Sequence, residues 1–332
     1  MRASKSISLR AGRESRTSVT PSAFAKLAAA QAPKPGKLTL DHVAHFVPHM
    51  DIAAPALEKL GFTLTPFSAQ SHRLEPGGPL LPAGTGNRCI MLKRGYLECL
   101  APTGDTPVAN QLRTAIQRYV GVHSIIFGTG AADADHARLA REGFSPLEPI
   151  GLQRQLMTQD GEHTARFTVV RVAPGTMPEG RIQFCQHHTP EFVWQPQWVQ
   201  HANRATALTA VILCMDDPAE AAARYGRFTG LKAIGEGERW HIDTARGRVL
   251  FKSPAVIRRV FNVEPATLPW IMGYALASNN MEVTRKLIAA TGFAHGTLDA
   301  ERFYVVPPAG VEGIIVFEPA KSAGLEFGAP TT

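Results

Sequence analysis

Four segments of this 332-residue chain repeat one order of structural signals, and the repeat constrains the fold more than any other feature. Each copy has an apolar strand, a polar break, an amphipathic helix, and then a glycine followed by a large apolar residue. The four first strands read DHVAHFV, VHSIIFG, LTAVILC and MGYALAS. The four glycine pairs are Gly61-Phe62, Gly143-Phe144, Gly230-Leu231 and Gly292-Phe293. Glycine at this point predicts a left-handed turn that ends each helix.

Two or three further strand-like runs follow each glycine, so each copy reads as a βαβββ module. One such module cannot bury both faces of its sheet, and modules must therefore pair. The sequence predicts an α+β fold in which four βαβββ modules pair into two curved mixed sheets. We expect residues 38–200 to hold modules 1 and 2, and residues 201–332 to hold modules 3 and 4.

The basic charge of the chain lies at its N-terminus. Residues 1–37 carry eight Lys or Arg and one Glu, which accounts for the whole net charge of +7. The remainder is neutral, which disfavours a nucleic-acid-binding face. We expect residues 1–37 to form a disordered basic tail, with a transit peptide as the alternative.

Other compositional features favour a cytoplasmic protein. No run of about 18 apolar residues is present, so no membrane span is expected. The four cysteines show no CxxC spacing, which favours reduced, mostly buried thiols over a disulfide framework or a structural zinc site.

The repeat resembles the vicinal oxygen chelate superfamily, which groups glyoxalases, bleomycin-resistance proteins and extradiol dioxygenases. The stretches LTPFSAQSHR and GTGNRCIMLKRGYLECLAPT are similar to a bacterial glyoxalase-like domain family. This resemblance implies a small-molecule substrate. It does not specify the reaction, because one fold hosts many chemistries.

Counting back from each glycine pair gives the position of the histidines within their modules. His42 lies 20 residues before Phe62 and His123 lies 21 before Phe144, so both occupy equivalent places on first strands. In modules 3 and 4 the same count reaches Thr209 and Gly273. Because strand side chains alternate between faces, His45 is expected on the opposite face from His42, packed toward the helices.

The resemblance implies that metal ligands come from the first and last strands of two paired modules. The matching positions are His42, Glu98, His123 and Gln183, a set that suits Fe, Mn, Ni or Zn. A neutral Gln is a weak ligand, and Cys185 or His187 could replace it if the strand register differs. Glu98 is also the candidate catalytic base.

A long Gly- and Pro-rich insertion in module 1 offers Arg73, Asn87 and Arg88 as substrate-binding residues. Arginine is suited to this role because its planar fork matches two oxygens of a carboxylate or phosphate. The chain has no GxxxxGK[ST], GxSxG or HExxH motif, which disfavours nucleotide binding and covalent serine catalysis.

These observations favour a metal-dependent lyase, isomerase or dioxygenase acting on a small oxygen-rich substrate. The alternatives are a metal-free protein that sequesters a small molecule, and a scaffold without pocket chemistry. The second half lacks ligand residues, since Thr209, Leu250, Gly273 and Val316 hold the corresponding places; this argues against a simple dioxygenase assignment. We expect a monomer or a homodimer, with no nucleic-acid or membrane partner.

Overall fold

The computed structural model describes residues 26–34, 36–72, 78–79, 81–322 and 324–328. Two eight-stranded sheets form the body. The strands of the first sheet are β1 Thr39–Phe46, β2 Ser68–His72, β3 Leu81–Met91, β4 Tyr96–Pro102, β5 Gly121–Gly128, β6 Ile150–Thr158, β7 Gly161–Val170 and β8 Arg181–His187. Their order across the sheet is β2-β3-β4-β1-β5-β8-β7-β6, so the first strands of modules 1 and 2 lie side by side at its centre.

The second sheet repeats this order with the third and fourth modules. Its strands are β9 Ala205–Cys214, β10 Ala233–Ile234, β11 Trp240–Asp243, β12 Arg248–Lys252, β13 Trp270–Ser278, β14 His295–Thr297, β15 Phe303–Val305 and β16 Ile314–Pro319. The order β10-β11-β12-β9-β13-β16-β15-β14 matches the first sheet strand for strand. The expected α+β fold of four βαβββ modules is therefore confirmed.

Among the described residues, the repeat helices predicted from the sequence are present together with further helices. They are α1 Met50–Lys59, α2 Pro107–Arg118, α3 Ala132–Arg141, α4 Pro190–Val193, α5 Pro218–Thr229, α6 Pro254–Phe261 and α7 Met281–Ala290, with a 3₁₀ turn at Pro196–Trp198. The glycines that follow α1, α3, α5 and α7 all have φ between 70° and 82°, which confirms the predicted left-handed turns. Asp217 and Asn280 cap α5 and α7 by accepting hydrogen bonds from backbone N–H groups.

Helices α2 and α6 were not expected. Each follows the last strand of an odd-numbered module and leads to the next module. Leu112 of α2 packs against Ala44, Phe46 and Leu100, on the face of the first sheet that the repeat helices leave uncovered. We call this the inner face of the first sheet.

The paired first strands β1 and β5 contain two β-bulges. Pairing passes from Leu40–Phe127 to His42–Ile126, which leaves Asp41 as an extra residue on β1. On β5 the extra residue is His123, between the pairs Ala44–Ser124 and His45–Val122. Bulges re-aim side chains and are common beside active sites.

The two halves share one apolar core. Val43, Ile125 and Phe184 of the first sheet and Val211, Tyr274 and Phe317 of the second belong to the same buried cluster. His45 lies in this interface, where its Nε2 is 3.0 Å from the Tyr274 hydroxyl. It therefore packs away from the inner face, as predicted.

Of the expected basic tail, Ala28 and Gln31 are buried against the body. The Gln31 amide donates to the Lys93 carbonyl at 2.7 Å, and its side-chain oxygen accepts from the Gly95 N–H at 3.1 Å.

No helix in the described part of the chain is long and apolar enough to cross a membrane. All four cysteines are free and buried, as predicted.

Candidate active site

Strand pairing arranges two rows of side chains across the inner face of the first sheet. The first row is Tyr96–His42–Ile126–Gln183. The second row is Glu98–Ala44–Ser124–Arg181. Cross-strand partners project to the same face of a sheet, so polar groups from four strands lie together on the inner face, a region we call the first pocket.

The Asp41 carboxylate joins two histidines in a buried cluster. His42 Nδ1–H donates to Asp41 Oδ2 at 2.7 Å, and His187 Nε2 lies 3.1 Å from the same oxygen. Asp41 is 1% exposed. On a regular strand Asp41 would project away from His42, and the bulge at Asp41 accounts for their meeting.

The charges of this cluster reinforce each other. Burial raises the pKa of Asp41, but the charge and hydrogen bond of His187 and the hydrogen bond of His42 lower it more, so the carboxyl has a pKa well below its ordinary value. Burial lowers the pKa of His187, but the Asp41 charge raises it to about 10. Asp41 and His187 therefore form a buried ion pair at neutral pH.

The second half of the chain adds a positive charge beside this ion pair. Arg246 lies in the turn between β11 and β12, and its carbonyl accepts from the Leu40 N–H at 2.8 Å. Burial lowers the pKa of Arg246, and the charge of Asp41 raises it. The electrostatics of the first pocket thus depend on both halves.

We expect the free energy of unfolding to be greatest near pH 6.5. Because the His187 pKa is higher in the folded state than its ordinary 6.5, its contribution is present below pH 6.5 and is lost as the pH rises toward 10. Burial lowers the pKa of His45, His123 and His201 to about 4, so stability is also lost as the pH falls from 6.5 toward 4. Urea unfolding should show a fall of about 2 kcal/mol between pH 7 and pH 9. A free energy that stays level over that interval would contradict the buried ion pair.

Two aromatic residues complete the surroundings of His42. The Tyr96 ring stacks on the His42 ring with centroids 4.0 Å apart, and the Tyr96 hydroxyl lies 3.2 Å from His42 Nε2. With His42 Nδ1–H donating to Asp41, Nε2 of His42 is the nitrogen that accepts this hydrogen bond from Tyr96. Trp194, fully buried, makes T-shaped ring contacts with both Tyr96 and His187 on this side of the pocket.

Glu98 lies opposite two arginines. The Asn87 amide donates a short hydrogen bond to Glu98 Oε1. Burial lowers the pKa of Arg154 and of Arg181, and the charge of Glu98 raises both. Arg154 on β6 also influences the pKa of Cys89 on β3, so curling brings strands from opposite ends of the sheet together.

The structure does not bring the four sequence-predicted metal ligands together. His42 Nδ1 is engaged by Asp41, and His123 Nε2 lies 2.7 Å from the Tyr119 carbonyl, with its ring stacked against Tyr119 and Phe46. His123 lies three residues along β5 from Ile126, the partner of His42, which corresponds to roughly 10 Å. Within the described ranges, no group of three or more His, Cys, Asp or Glu side chains is arranged to hold a metal ion. These donors do not fit the metal that the resemblance implies.

Two of the predicted substrate-binding residues, Asn87 and Arg88, lie on opposite faces of β3. Asn87 is buried in the pocket beside Glu98. Arg88 projects from the other face of β3, where its Nε donates to the Thr65 carbonyl at 2.9 Å and its guanidinium pairs with Glu58 at 3.2 Å. Arg73 lies outside the described residues, and Gln183 lies in the first row.

Sequence reasoning missed the roles of Asp41, Tyr96, Arg154, Arg181 and Trp194. Asp41 directly precedes His42, and an acid beside a strand histidine was the available signal. The sequence carried no such signal for Arg154 or Trp194. Arg154 reaches the pocket through the curl of the sheet, and Trp194 through the chain segment after β8.

The inner face of the second sheet is filled by its own side chains. Leu250 and Val316 pack with Ile257 and Phe261 of α6 and with Leu325. A Cβ at Gly273 would lie 1.9 Å from the Ile314 carbonyl oxygen, so no side chain fits there. The equivalents of the first-pocket residues are therefore used for packing.

A family model described as "Glyoxalase-like domain" matches residues 40–249. No curated protein matches this chain in sequence.

Two solved structures have similar folds. One is a hypothetical protein from Staphylococcus aureus, 11% identical, with a TM-score of 0.58. The match covers 85% of this chain and 99% of the Staphylococcus aureus chain. The other is a mutant of 4-hydroxymandelate synthase from Streptomyces coelicolor, 13% identical, with a TM-score of 0.51. The match covers 88% of this chain and 95% of the synthase chain. At these identities the likeness shows the fold alone.

Proposed function

The chain belongs to the glyoxalase-like domain family, and from this we propose that its first pocket binds a small oxygen-rich molecule and moves a proton on it, with His42 as the general base. The reaction class is that of a lyase or isomerase. The observation that carries the proposal is the Asp41–His42 hydrogen bond of 2.7 Å, which makes Nε2 of His42, the atom beside the Tyr96 hydroxyl, the unprotonated ring nitrogen.

Asp41 and His187 give His42 a fixed orientation. A carboxylate that accepts from Nδ1–H selects the imidazole tautomer with an unprotonated Nε2, as in other histidine bases. His187 Nε2 lies 3.1 Å from the same Asp41 oxygen, which keeps the carboxylate ionised and in place. His42 is therefore oriented without any contribution from the substrate.

Tyr96 and Glu98 are placed to work with this base. The Tyr96 hydroxyl, 3.2 Å from His42 Nε2, can donate a hydrogen bond to an oxygen of the bound molecule. Glu98, held by Asn87 in the neighbouring row, is a second group that can accept or return a proton. Proton transfer next to a carbonyl requires a base for the proton and a hydrogen-bond donor for the carbonyl oxygen.

The test is proton exchange in D₂O, followed by NMR, on a panel of 2-oxo and 2-hydroxy carboxylic acids with chelator-treated protein. We expect exchange or elimination for at least one compound, and a loss of about 10²–10⁴-fold in rate in His42→Gln. Glu58→Gln, on the outer surface of α1, is the control and should retain the full rate. A rate equal to wild type in His42→Gln would contradict the proposal.

Two further results would select the rival functions. Binding without exchange would favour a sequestering protein. Stoichiometric Fe, Mn, Ni or Zn that is lost in His42→Gln and is required for turnover would favour the metal site predicted at His42, Glu98, His123 and Gln183.

A further inference from the structure

We propose that the inner face of the second sheet is a binding site for a partner protein's peptide in which an acidic residue precedes an aromatic one. Residues 324–328 of the chain, GLEFG, occupy this site and show the chemistry that it accepts. We call these five residues the C-terminal segment. The inference concerns the second half of the chain and does not rest on the chemistry proposed for the first pocket.

Cationic side chains hold the backbone of the C-terminal segment. Four of its five carbonyls accept a hydrogen bond from such a side chain. The pairs are Arg302–Gly324 at 3.1 Å, Arg248–Leu325 at 3.3 Å, Lys252–Phe327 at 2.6 Å and Arg239–Gly328 at 2.8 Å. No backbone–backbone hydrogen bond reaches the segment from any other described residue. The segment is therefore bound as a peptide ligand is, and it can leave without breaking the pairing of the strands.

Lys252 selects the acidic residue of the peptide. Its ammonium is 0% exposed and donates to Glu326 Oε1 at 2.6 Å. His241 Nδ1 lies 3.3 Å from the other carboxylate oxygen of Glu326. Among the described residues outside the segment, the partner of the ammonium is the Glu238 carbonyl, at 3.0 Å. A buried cation without a carboxylate is costly, so an occupant of this site needs an acid at the position of Glu326.

Two apolar contacts flank the ion pair. Leu325 is 1% exposed and belongs to the same buried cluster as Leu250. The Phe327 ring makes a T-shaped contact with Phe261 of α6, with centroids 5.2 Å apart, and the Lys252 ammonium lies 4.8 Å from the centre of the Phe327 ring. An aliphatic residue, an acid and then an aromatic residue is therefore the order of side chains that the site accepts.

The source of the competing peptide is a partner protein and not a second copy of the chain. The C-terminal segment is tethered next to its own site, where its effective concentration is of the order of millimolar. The identical segment of a second copy gains no contact over the tethered one and competes poorly with it. A partner peptide with the same order of side chains, and with contacts beyond these five residues, can displace the tethered segment.

The test is fluorescence anisotropy with the labelled, end-capped peptide GLEFG and full-length chains. Wild type should bind this peptide weakly, because the tethered segment occupies the site. Glu326→Lys places a second cation beside Lys252 and expels the segment, so this variant should bind GLEFG at least about 10-fold more tightly than wild type does. The neutral peptide GLQFG should bind to the same variant at least about 10-fold more weakly than GLEFG, because it lacks the charge-assisted hydrogen bond to Lys252.

Two further variants assign the preference to Lys252. Lys252→Met, added to Glu326→Lys, should remove the preference for GLEFG over GLQFG, because the buried charge is then absent. Lys286→Met, added to the same background, is the matched control and should leave both affinities unchanged. Lys286 is an exposed residue of α7, a helix that packs on the other face of the second sheet.

Three binding results would overturn the inference. They are equal affinity of wild type and Glu326→Lys for GLEFG, equal affinity of Glu326→Lys for GLEFG and GLQFG, and an unchanged preference in Lys252→Met. Circular dichroism shows whether Glu326→Lys is folded. If it is not, Glu326→Gln, which keeps the shape of the side chain, takes its place and should bind GLEFG about 3-fold or more tightly than wild type does.

Sedimentation of the wild-type chain tests the source of the peptide. We expect the same oligomeric state in wild type and in Glu326→Lys. A wild-type dimer that Glu326→Lys dissociates would assign the site to a second copy and would contradict the partner assignment.

Discussion

Replacing Asp41 with Asn is expected to lower the free energy of unfolding by roughly 3–5 kcal/mol, the usual cost of removing one partner from a buried ion pair. Asp41 is 1% exposed and accepts from both His42 and His187. Without its charge, His187 loses the interaction that raises its pKa to about 10 and becomes neutral at physiological pH. The measurement is urea unfolding at pH 7, followed by circular dichroism.

The same variant also tests the pH dependence. In Asp41→Asn the decline in stability between pH 7 and pH 9 should vanish, because His187 would no longer bind a proton there in the folded state. Asp160→Asn is the matched control, since Asp160 is exposed in the turn between β6 and β7, where Asn before Gly161 is equally suited. A loss below about 1 kcal/mol in Asp41→Asn, or an unchanged alkaline decline, would show that the cluster is not a buried ion pair.

Replacing Arg224 with Met is expected to destabilise the protein by a similar amount, roughly 3–5 kcal/mol. Glu179, between β7 and β8, is 0% exposed, and Arg224 on α5 holds it with contacts of 2.7 Å and 3.1 Å. The pair joins the two halves of the chain. Removing the guanidinium leaves a buried carboxylate without a partner, which is the costly outcome for an ion pair. Thermal and urea unfolding of the variant measure the effect.

Two comparisons make the Arg224 prediction specific. Glu220→Gln removes the exposed partner of the same arginine, 54% exposed, and should cost no more than about 1 kcal/mol. The double variant Glu179→Gln, Arg224→Met should recover part of the loss, because both charges are then absent. Equal losses in Glu220→Gln and Arg224→Met would contradict the importance of the buried contact.

Much of the fold was predictable because its signals are local and occur four times. The periodicity of α1, α3, α5 and α7 and the glycines after them depend only on neighbouring residues. Helices α2 and α6 were missed because they lie outside the repeated pattern, although Thr106 and Ser253 are typical helix N-caps followed by Pro.

The candidate site was predictable only in part. Period-two alternation correctly placed Glu98 on the same face as Tyr96 and Leu100, and it placed His45 away from His42. It gave no account of the bulge at Asp41, which turns an acid toward the pocket that alternation assigns to the other face. Likewise, the extra residue in β5 is His123, and its ring packs against Tyr119 and Phe46.

The sequence by itself determined the four modules, the order of strands and helix within each, and the side of the first sheet on which His42 and Glu98 lie, because these follow from short-range periodicity. The tertiary structure alone decided which atoms meet. Bulges shift strand pairing by one residue, and curling brings Arg154 toward Cys89 from the far end of the sheet. Packing of the second half sets Arg246 beside Asp41. Such contacts depend on backbone geometry summed over many residues, which no local pattern of side chains encodes.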